Sequence, residues 1–117
     1  MKLHHVQLAI PPGSEDECRS FYLDVLKFDE IPKPAELAKR GGLWMKSGQV
    51  EIHLGVEQDF RPAQKAHPAF HTDRLVEIAA DLEKHDYQLL WDDSIPKWKR
   101  FFVFDAVGNR LEFMQGS

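Results

Sequence analysis

Two histidines and two glutamates recur in this sequence with matching chemistry and nearly matching spacing. Almost the same interval separates His5 from His67 as separates Glu51 from Glu112. Neutral imidazole and carboxylate groups bind zinc, nickel, manganese, cobalt or iron(II), and two histidines with one carboxylate form the facial arrangement of non-haem iron(II) sites. Four protein ligands at most leave coordination positions open for water or substrate. The four residues therefore predict a site for one divalent metal ion, if the fold brings them together.

The elements that carry these residues form a pattern that the chain repeats. Leu3 to Ile10 alternates apolar and polar residues with the two-residue period of a half-buried strand, and the following prolines end it. A helix is predicted from Ser14, which forms a capping box with Glu17. Three short strands are predicted next, around 28–31, 43–46 and 49–54, the last two joined by the turn Ser47-Gly48.

The same order returns after a polar connector at 55–66. The second half is predicted to contain a strand at 68–72, a helix beginning near Asp73, and strands at 87–91, 98–104 and 110–114. The predicted apolar stripe of this helix is Leu75, Ile78, Ala79 and Leu82.

Internal repetition gives the four chemical residues equivalent places. Val50-Glu51-Ile52 resembles Leu111-Glu112-Phe113, and His5 and His67 each open the first strand of their half. If the halves pack as pseudo-symmetric copies, equivalent positions converge about one axis. The sequence thus predicts two first strands that supply histidines and two last strands that supply glutamates.

Strand alternation predicts where these side chains point. His5 shares a strand face with Gln7, and Glu112 shares one with Arg110 and Met114, whereas the apolar neighbours lie on the opposite faces. Each candidate ligand therefore points away from the face that packs on a helix.

Three motifs resemble those of the vicinal-oxygen-chelate superfamily, which contains glyoxalases, fosfomycin-resistance proteins and extradiol dioxygenases. They are His5-Val6, Ala66-His67-Pro68-Ala69-Phe70 and Gly108-Asn109-Arg110-Leu111-Glu112-Phe113. The resemblance extends from Leu3 to Met114. It implies an α+β fold in which two βαβββ modules, about 1–55 and 67–115, form an incomplete β-barrel around a metal within one domain, 1–117.

The resemblance also implies roles for individual residues. Its metal-ligand positions correspond to His5, His67 and Glu112, and Glu51 matches the fourth ligand of the glyoxalase I branch. His53 shares the face of Glu51 and competes for that fourth position, as does water. The implied metal is zinc, nickel, manganese, cobalt or iron(II).

The activity that the resemblance favours is that of a glyoxalase I-like lyase or isomerase. Glu51 or Glu112 would remove a proton next to a carbonyl, and the metal would stabilise the enediolate oxyanion. One alternative is a thiol transferase of the fosfomycin-resistance type, and a thiol co-substrate is possible in either reaction. Another is a bleomycin-resistance-type protein that binds a drug without catalysis. The family often has Asp-Pro where this chain has Asp105-Ala106-Val107, a difference that alters a turn.

Four further residues are candidates for substrate contact. Trp44, Trp98 and Phe102 are expected in the core or a dimer contact, or in an apolar pocket beside the metal. Arg100 is expected either to pair with an anionic group of the substrate or to remain a solvated surface residue. His4 is expected to be structural or exposed.

Composition limits the other functional classes. The chain has 117 residues, of which 43% are hydrophobic and 29% charged, as in a globular domain. A net charge of -4 argues against a nucleic-acid partner. One cysteine permits no internal disulfide, and no segment is apolar for the roughly 20 residues that a membrane span requires. A cytoplasmic location is expected, because residues 1–5 lack the apolar stretch of a secretory signal. A homodimer is expected, because the open sheet edges of such modules need covering.

Overall fold

The chain divides between Pro62 and Ala63 into two compact units in the computed structural model, which describes residues 1–116. Each unit contains a strand, a helix and three further strands. The predicted α+β class and the repeated βαβββ order are confirmed, and the division falls within the predicted connector. No helix among residues 1–116 combines the length and the apolar character needed to span a bilayer.

The first unit is built on a four-stranded sheet with the order β1-β4-β3-β2. Its elements are β1 (Val6–Ile10), α1 (Glu15–Arg19) with a π-helical continuation (Ser20–Val25), β2 (Asp29–Ile31), α2 (Ala35–Ala38), β3 (Leu43–Ser47) and β4 (Val50–Val56). Strand β1 runs parallel to β4, and the remaining pairs are antiparallel. Strand β4 therefore lies inside the sheet, with a partner on each side.

The second unit repeats this topology with the order β5-β8-β7-β6. Its elements are β5 (Ala69–His71), α3 (Leu75–Lys84), β6 (Leu90–Asp92), β7 (Trp98–Phe104) and β8 (Arg110–Gly116). Strand β5 is parallel to β8, and β8 is the internal strand that corresponds to β4.

Each unit buries the apolar side chains of its helix and of one face of its sheet. The buried residues of the first unit include Cys18, Phe21, Tyr22, Leu43, Met45, Ile52 and Leu54. Those of the second include Leu75, Ala79, Leu82, Phe101, Val103, Leu111 and Phe113. Because successive strand residues point to opposite faces, the other face of each sheet is left for the polar residues singled out above.

Three local expectations are wrong, all at ends of elements. Strand β1 begins at Val6 instead of Leu3, so His5 lies just before it. Ser14 does not cap the first helix with its side chain; its hydroxyl donates instead to the carbonyl of Pro11 at 2.7 Å. Strand β6 begins at Leu90 instead of Tyr87. The N–H of Tyr87 donates to the carbonyl of Leu82 at 3.0 Å. Tyr87 therefore belongs to the turn that ends α3, and the extended structure begins only after it.

Candidate functional site

The polar face of the first unit is centred on His53. The strand register pairs His53 with Gln7 of β1 on one side and with Trp44 of β3 on the other. Glu51 lies two residues earlier on the same face of β4. His53 is buried, although it is polar, so its environment must supply hydrogen-bonding partners.

Three rings form a stack at this point. The imidazole of His53 lies 4.0 Å from the Trp44 ring at an interplanar angle of 6°, and 3.9 Å from the His5 ring at 16°. The ring-nitrogen lone pairs of His5 and His53 lie in the planes of their rings, and those planes are nearly parallel. One ion therefore cannot be bound in plane by both histidines in this arrangement, which weighs against His53 as a partner of His5 in a metal site.

His53 and Glu51 form a hydrogen-bonded pair. His53 Nε2 lies 2.7 Å from Glu51 Oε2. Burial lowers the pKa of His53, and the hydrogen bond from His53 lowers the pKa of Glu51. Both shifts favour a neutral imidazole that donates its Nε2 proton to an ionised carboxylate, and we assign that state at neutral pH.

This assignment predicts a loss of stability in acid. A histidine with a lowered folded-state pKa stabilises the fold above its unfolded value of about 6.5, and this contribution is lost as the pH falls below that value. In metal-free protein, the free energy of unfolding from chemical denaturation is expected to decrease between pH 7 and pH 5. His53→Gln should flatten this decrease, whereas His85→Gln, an exposed histidine at the end of α3, should leave it as it is. Equal slopes in wild type and His53→Gln contradict the assignment.

His4 also lies in this cluster, although no role was predicted for it there. His4 Nδ1 lies 2.9 Å from His5 Nδ1. Among residues 1–116, His4, His5 and Glu51 offer one ligand atom each within 4.8 Å of one another. The doublet His4-His5 beside a strand was the available signal, but alternation, when applied from Leu3 onward, assigns consecutive residues to opposite faces. Both histidines precede β1, so that rule governs neither of them.

The polar face of the second unit is centred on Glu112, which is only 5% exposed. The register places Glu112 between Ala69 of β5 and Phe102 of β7. Its Oε1 lies 2.9 Å from Nε2 of His67, and the His67 ring meets Phe102 edge-on at 5.4 Å. Within this unit, the predicted pair of His67 and Glu112 is in direct contact.

The second nitrogen of His67 fixes the tautomer. His67 Nδ1 lies 2.7 Å from the backbone carbonyl oxygen of Lys65, which can only accept, so Nδ1 carries the proton. A neutral ring then directs the Nε2 lone pair at a carboxylate oxygen, and two acceptors face each other at 2.9 Å. Such a contact is favourable only when a proton or a metal cation lies between the two atoms. A histidine with Nδ1–H on a carbonyl and Nε2 beside a carboxylate is a donor set that suits a divalent metal.

Arg100 occupies the other side of Glu112 and is not a solvated surface residue. Its side chain is 14% exposed, and Nη1 donates to Glu112 Oε2 at 3.0 Å. Nη2 donates to Ser94 Oγ at 3.2 Å and lies 3.3 Å from Asp92 Oδ1. The guanidinium was expected to contact a substrate anion or water, but both of its Nη atoms contact protein groups instead.

The predicted aromatic contacts fall in different environments. Phe102 is buried, with the guanidinium carbon of Arg110 4.3 Å from its ring centroid. Trp44 belongs to the stack on His53. Trp98 and Arg100 line a cavity of about 910 Å³ in the second unit, together with Trp91 and the 92–97 loop.

Strand pairing revises the internal alignment of the two halves. Gln7 follows His5 by two residues, and Ala69 follows His67 by two residues. Gln7 pairs with His53, and Ala69 pairs with Glu112. By register, the residue equivalent to Glu112 is therefore His53 and not Glu51. A shift of two residues keeps a side chain on the same strand face, which explains why alternation did not separate the two positions.

Solved structures resemble this chain along its whole length. A glyoxalase family protein from Bacillus anthracis is 47% identical, with 100% of this chain and 96% of that chain covered and a TM-score of 0.96. A lactoylglutathione lyase from Agrobacterium tumefaciens is 17% identical over 95% and 92% of the two chains, with a TM-score of 0.70. A fosfomycin resistance protein from Listeria monocytogenes is 12% identical over 99% and 91%, with a TM-score of 0.81. The last two similarities show the fold alone.

Two other comparisons give no match. No protein-family model matches the chain, and no curated protein does.

Proposed function

This chain belongs to the glyoxalase family of the vicinal-oxygen-chelate superfamily, and we propose that it is a metal-dependent enzyme that moves a proton next to the carbonyl group of a small molecule. The contact between His67 Nε2 and Glu112 Oε1, with His67 Nδ1 tied to a carbonyl, is the observation that carries this proposal. It brings one imidazole nitrogen and one carboxylate oxygen, both of which are metal-ligand types, within 2.9 Å of each other.

We further propose that His5 is the third ligand, as the resemblance in sequence implies. Its Nδ1 faces His4, so Nε2 is the nitrogen that we assign to the metal. A divalent ion bound there supplies Lewis-acid stabilisation for negative charge that develops on a substrate oxygen. Zinc, nickel, manganese, cobalt and iron(II) all accept this donor set.

Glu51 is the residue that we propose as general base. Both oxygens of Glu112 contact protein groups, whereas among residues 1–116 only Oε2 of Glu51 is observed in a hydrogen bond. The bond from His53 keeps Glu51 ionised, the form that accepts a proton, but it also makes the carboxylate a weaker base. Glu51 takes the proton from the hydroxyl-bearing carbon beside the carbonyl and returns it to the former carbonyl carbon. The hydroxyl proton moves to the former carbonyl oxygen, so the reaction is an isomerisation that needs no oxidant.

The test is an assay with the hemithioacetal of methylglyoxal and a thiol, after purified protein has been loaded with each of the five metals. We expect metal-dependent turnover and incorporation of solvent deuterium at the transferred position. Glu51→Gln should lower kcat by about 10²- to 10⁴-fold, the usual contribution of a general base, and retain bound metal. Glu57→Gln, an exposed glutamate just after β4, is the matched control.

Two results would count against the proposal. Absence of turnover with every metal removes the lyase or isomerase activity. Full activity in Glu51→Gln removes Glu51 as the base and leaves the reaction class standing.

A further inference from the structure

Arg100 contacts the carboxylate of Glu112, which forms the proposed ligand pair of the second unit together with His67. Its Nη1 binds Glu112 Oε2, the oxygen that does not face His67. The two carboxylate oxygens are therefore held from opposite sides. A carboxylate on a free side chain rotates about its last bond, and a donor fixed on one oxygen stops that rotation.

The guanidinium is itself held in place. Nη2 contacts Ser94 Oγ at 3.2 Å and Asp92 Oδ1 at 3.3 Å, and both residues lie where β6 leads into the 92–97 loop. Ser94 in turn donates to Asp92 through its N–H at 2.8 Å and through its hydroxyl. Arg100 is thus held by the turn at Asp92 and Ser94, and it in turn holds the side chain of Glu112 on β8.

One nitrogen of Arg100, Nε, is buried and forms no hydrogen bond with any group of residues 1–116. An unpaired buried N–H is unfavourable. The other two nitrogens of the guanidinium each contact a carboxylate, Nη1 that of Glu112 and Nη2 that of Asp92.

We propose that Arg100 is a positioning residue: it fixes Glu112 Oε2 and thereby presents Oε1 to the shared cation site with His67. This role replaces the contact with a substrate anion that the sequence suggested. The effect on metal affinity rests on the proposed function, whereas the effect on the orientation of Glu112 does not.

Arg100→Lys separates geometry from charge. Lysine keeps the positive charge, but a single ammonium cannot reproduce the planar fork that binds Glu112, Ser94 and Asp92 together. Arg110→Lys is the matched control, because Arg110 lies on the neighbouring strand β8 and donates to the Gln64 carbonyl at 3.0 Å. Two readouts are needed: the dissociation constant and d–d absorption spectrum with Co²⁺, and a crystal structure of each metal-free variant.

We expect Arg100→Lys to weaken Co²⁺ binding by about 10- to 100-fold, as loss of an outer-shell partner does, and to change the d–d spectrum. In its metal-free crystal structure, Oε1 of Glu112 should have left Nε2 of His67. Arg110→Lys should match wild type in both. If wild type binds no Co²⁺ but Oε1 still moves in Arg100→Lys, the positioning role stands and the proposed function fails. If Glu112 keeps its orientation in Arg100→Lys, the inference is overturned.

Discussion

Glu112→Gln is expected to lower metal affinity by more than the roughly 100-fold that loss of an outer-shell partner costs. Glutamine keeps the size of the side chain but removes the charge that neutralises a divalent ion. It also places a neutral amide between His67 and the guanidinium of Arg100. Titration calorimetry with zinc or nickel measures the loss, and Glu83→Gln on the exposed surface of α3 is the control.

The charge of Glu112 should also contribute to stability. Glu112→Leu leaves Arg100, 14% exposed, without its nearest carboxylate, and breaking a buried ion pair costs about 3–5 kcal/mol. We expect a value near 3 kcal/mol, because Asp92 remains as a second partner. Metal affinity within a few-fold of wild type in Glu112→Gln contradicts the assignment of Glu112 as a ligand, whatever the leucine variant shows.

Gly42→Ala is expected to destabilise the first unit severely. Gly42 has a φ of +79°, where a residue with a Cβ is strained by about 1–2 kcal/mol. A Cβ there would lie 2.0 Å from the carbonyl oxygen of Leu54, a backbone atom of β4 that cannot rotate away. Overpacking adds about 1–3 kcal/mol, so chemical denaturation should report a loss of roughly 3 kcal/mol or more.

Gly48→Ala is the matched control for this effect. Gly48, in the turn between β3 and β4, also has a positive φ, +57°, but a Cβ there meets nothing within 4 Å. This variant should show only the conformational part of the loss. Equal decreases in the free energy of unfolding of the two variants would show that the close approach of β4 to Gly42 does not affect stability. The comparison bears on the site, because Glu51 and His53 lie on the strand that Gly42 approaches.

The sequence predicted the fold well because the fold depends on period and repetition. Alternating strands, a helical stripe and two similar halves are all local patterns. Three of the four stripe residues predicted for α3, Leu75, Ala79 and Leu82, are buried as expected. The errors lie at element ends, where a single hydrogen bond, such as that of Ser14 to Pro11, decides the structure.

The site was harder to predict, because it depends on register and on non-local partners. Periodicity identified the strand face that carries Glu51 and His53, but a shift of two residues leaves that face unchanged. Only the pairing of His53 with Gln7 distinguishes the two. Arg100 shows the same limit, since no local pattern reveals that its partner is Glu112 on the next strand.

The proposed metal site at His5, His67 and Glu112 is tested most directly by anomalous diffraction from crystals of the metal-loaded protein, with data collected at the absorption edge of the metal. We predict one anomalous peak about 2.0–2.2 Å from Nε2 of His5, Nε2 of His67 and a carboxylate oxygen of Glu112, the distances normal for such ligands. A peak bound instead by His4, His5 and Glu51, or no peak at His67 and Glu112, would contradict the account.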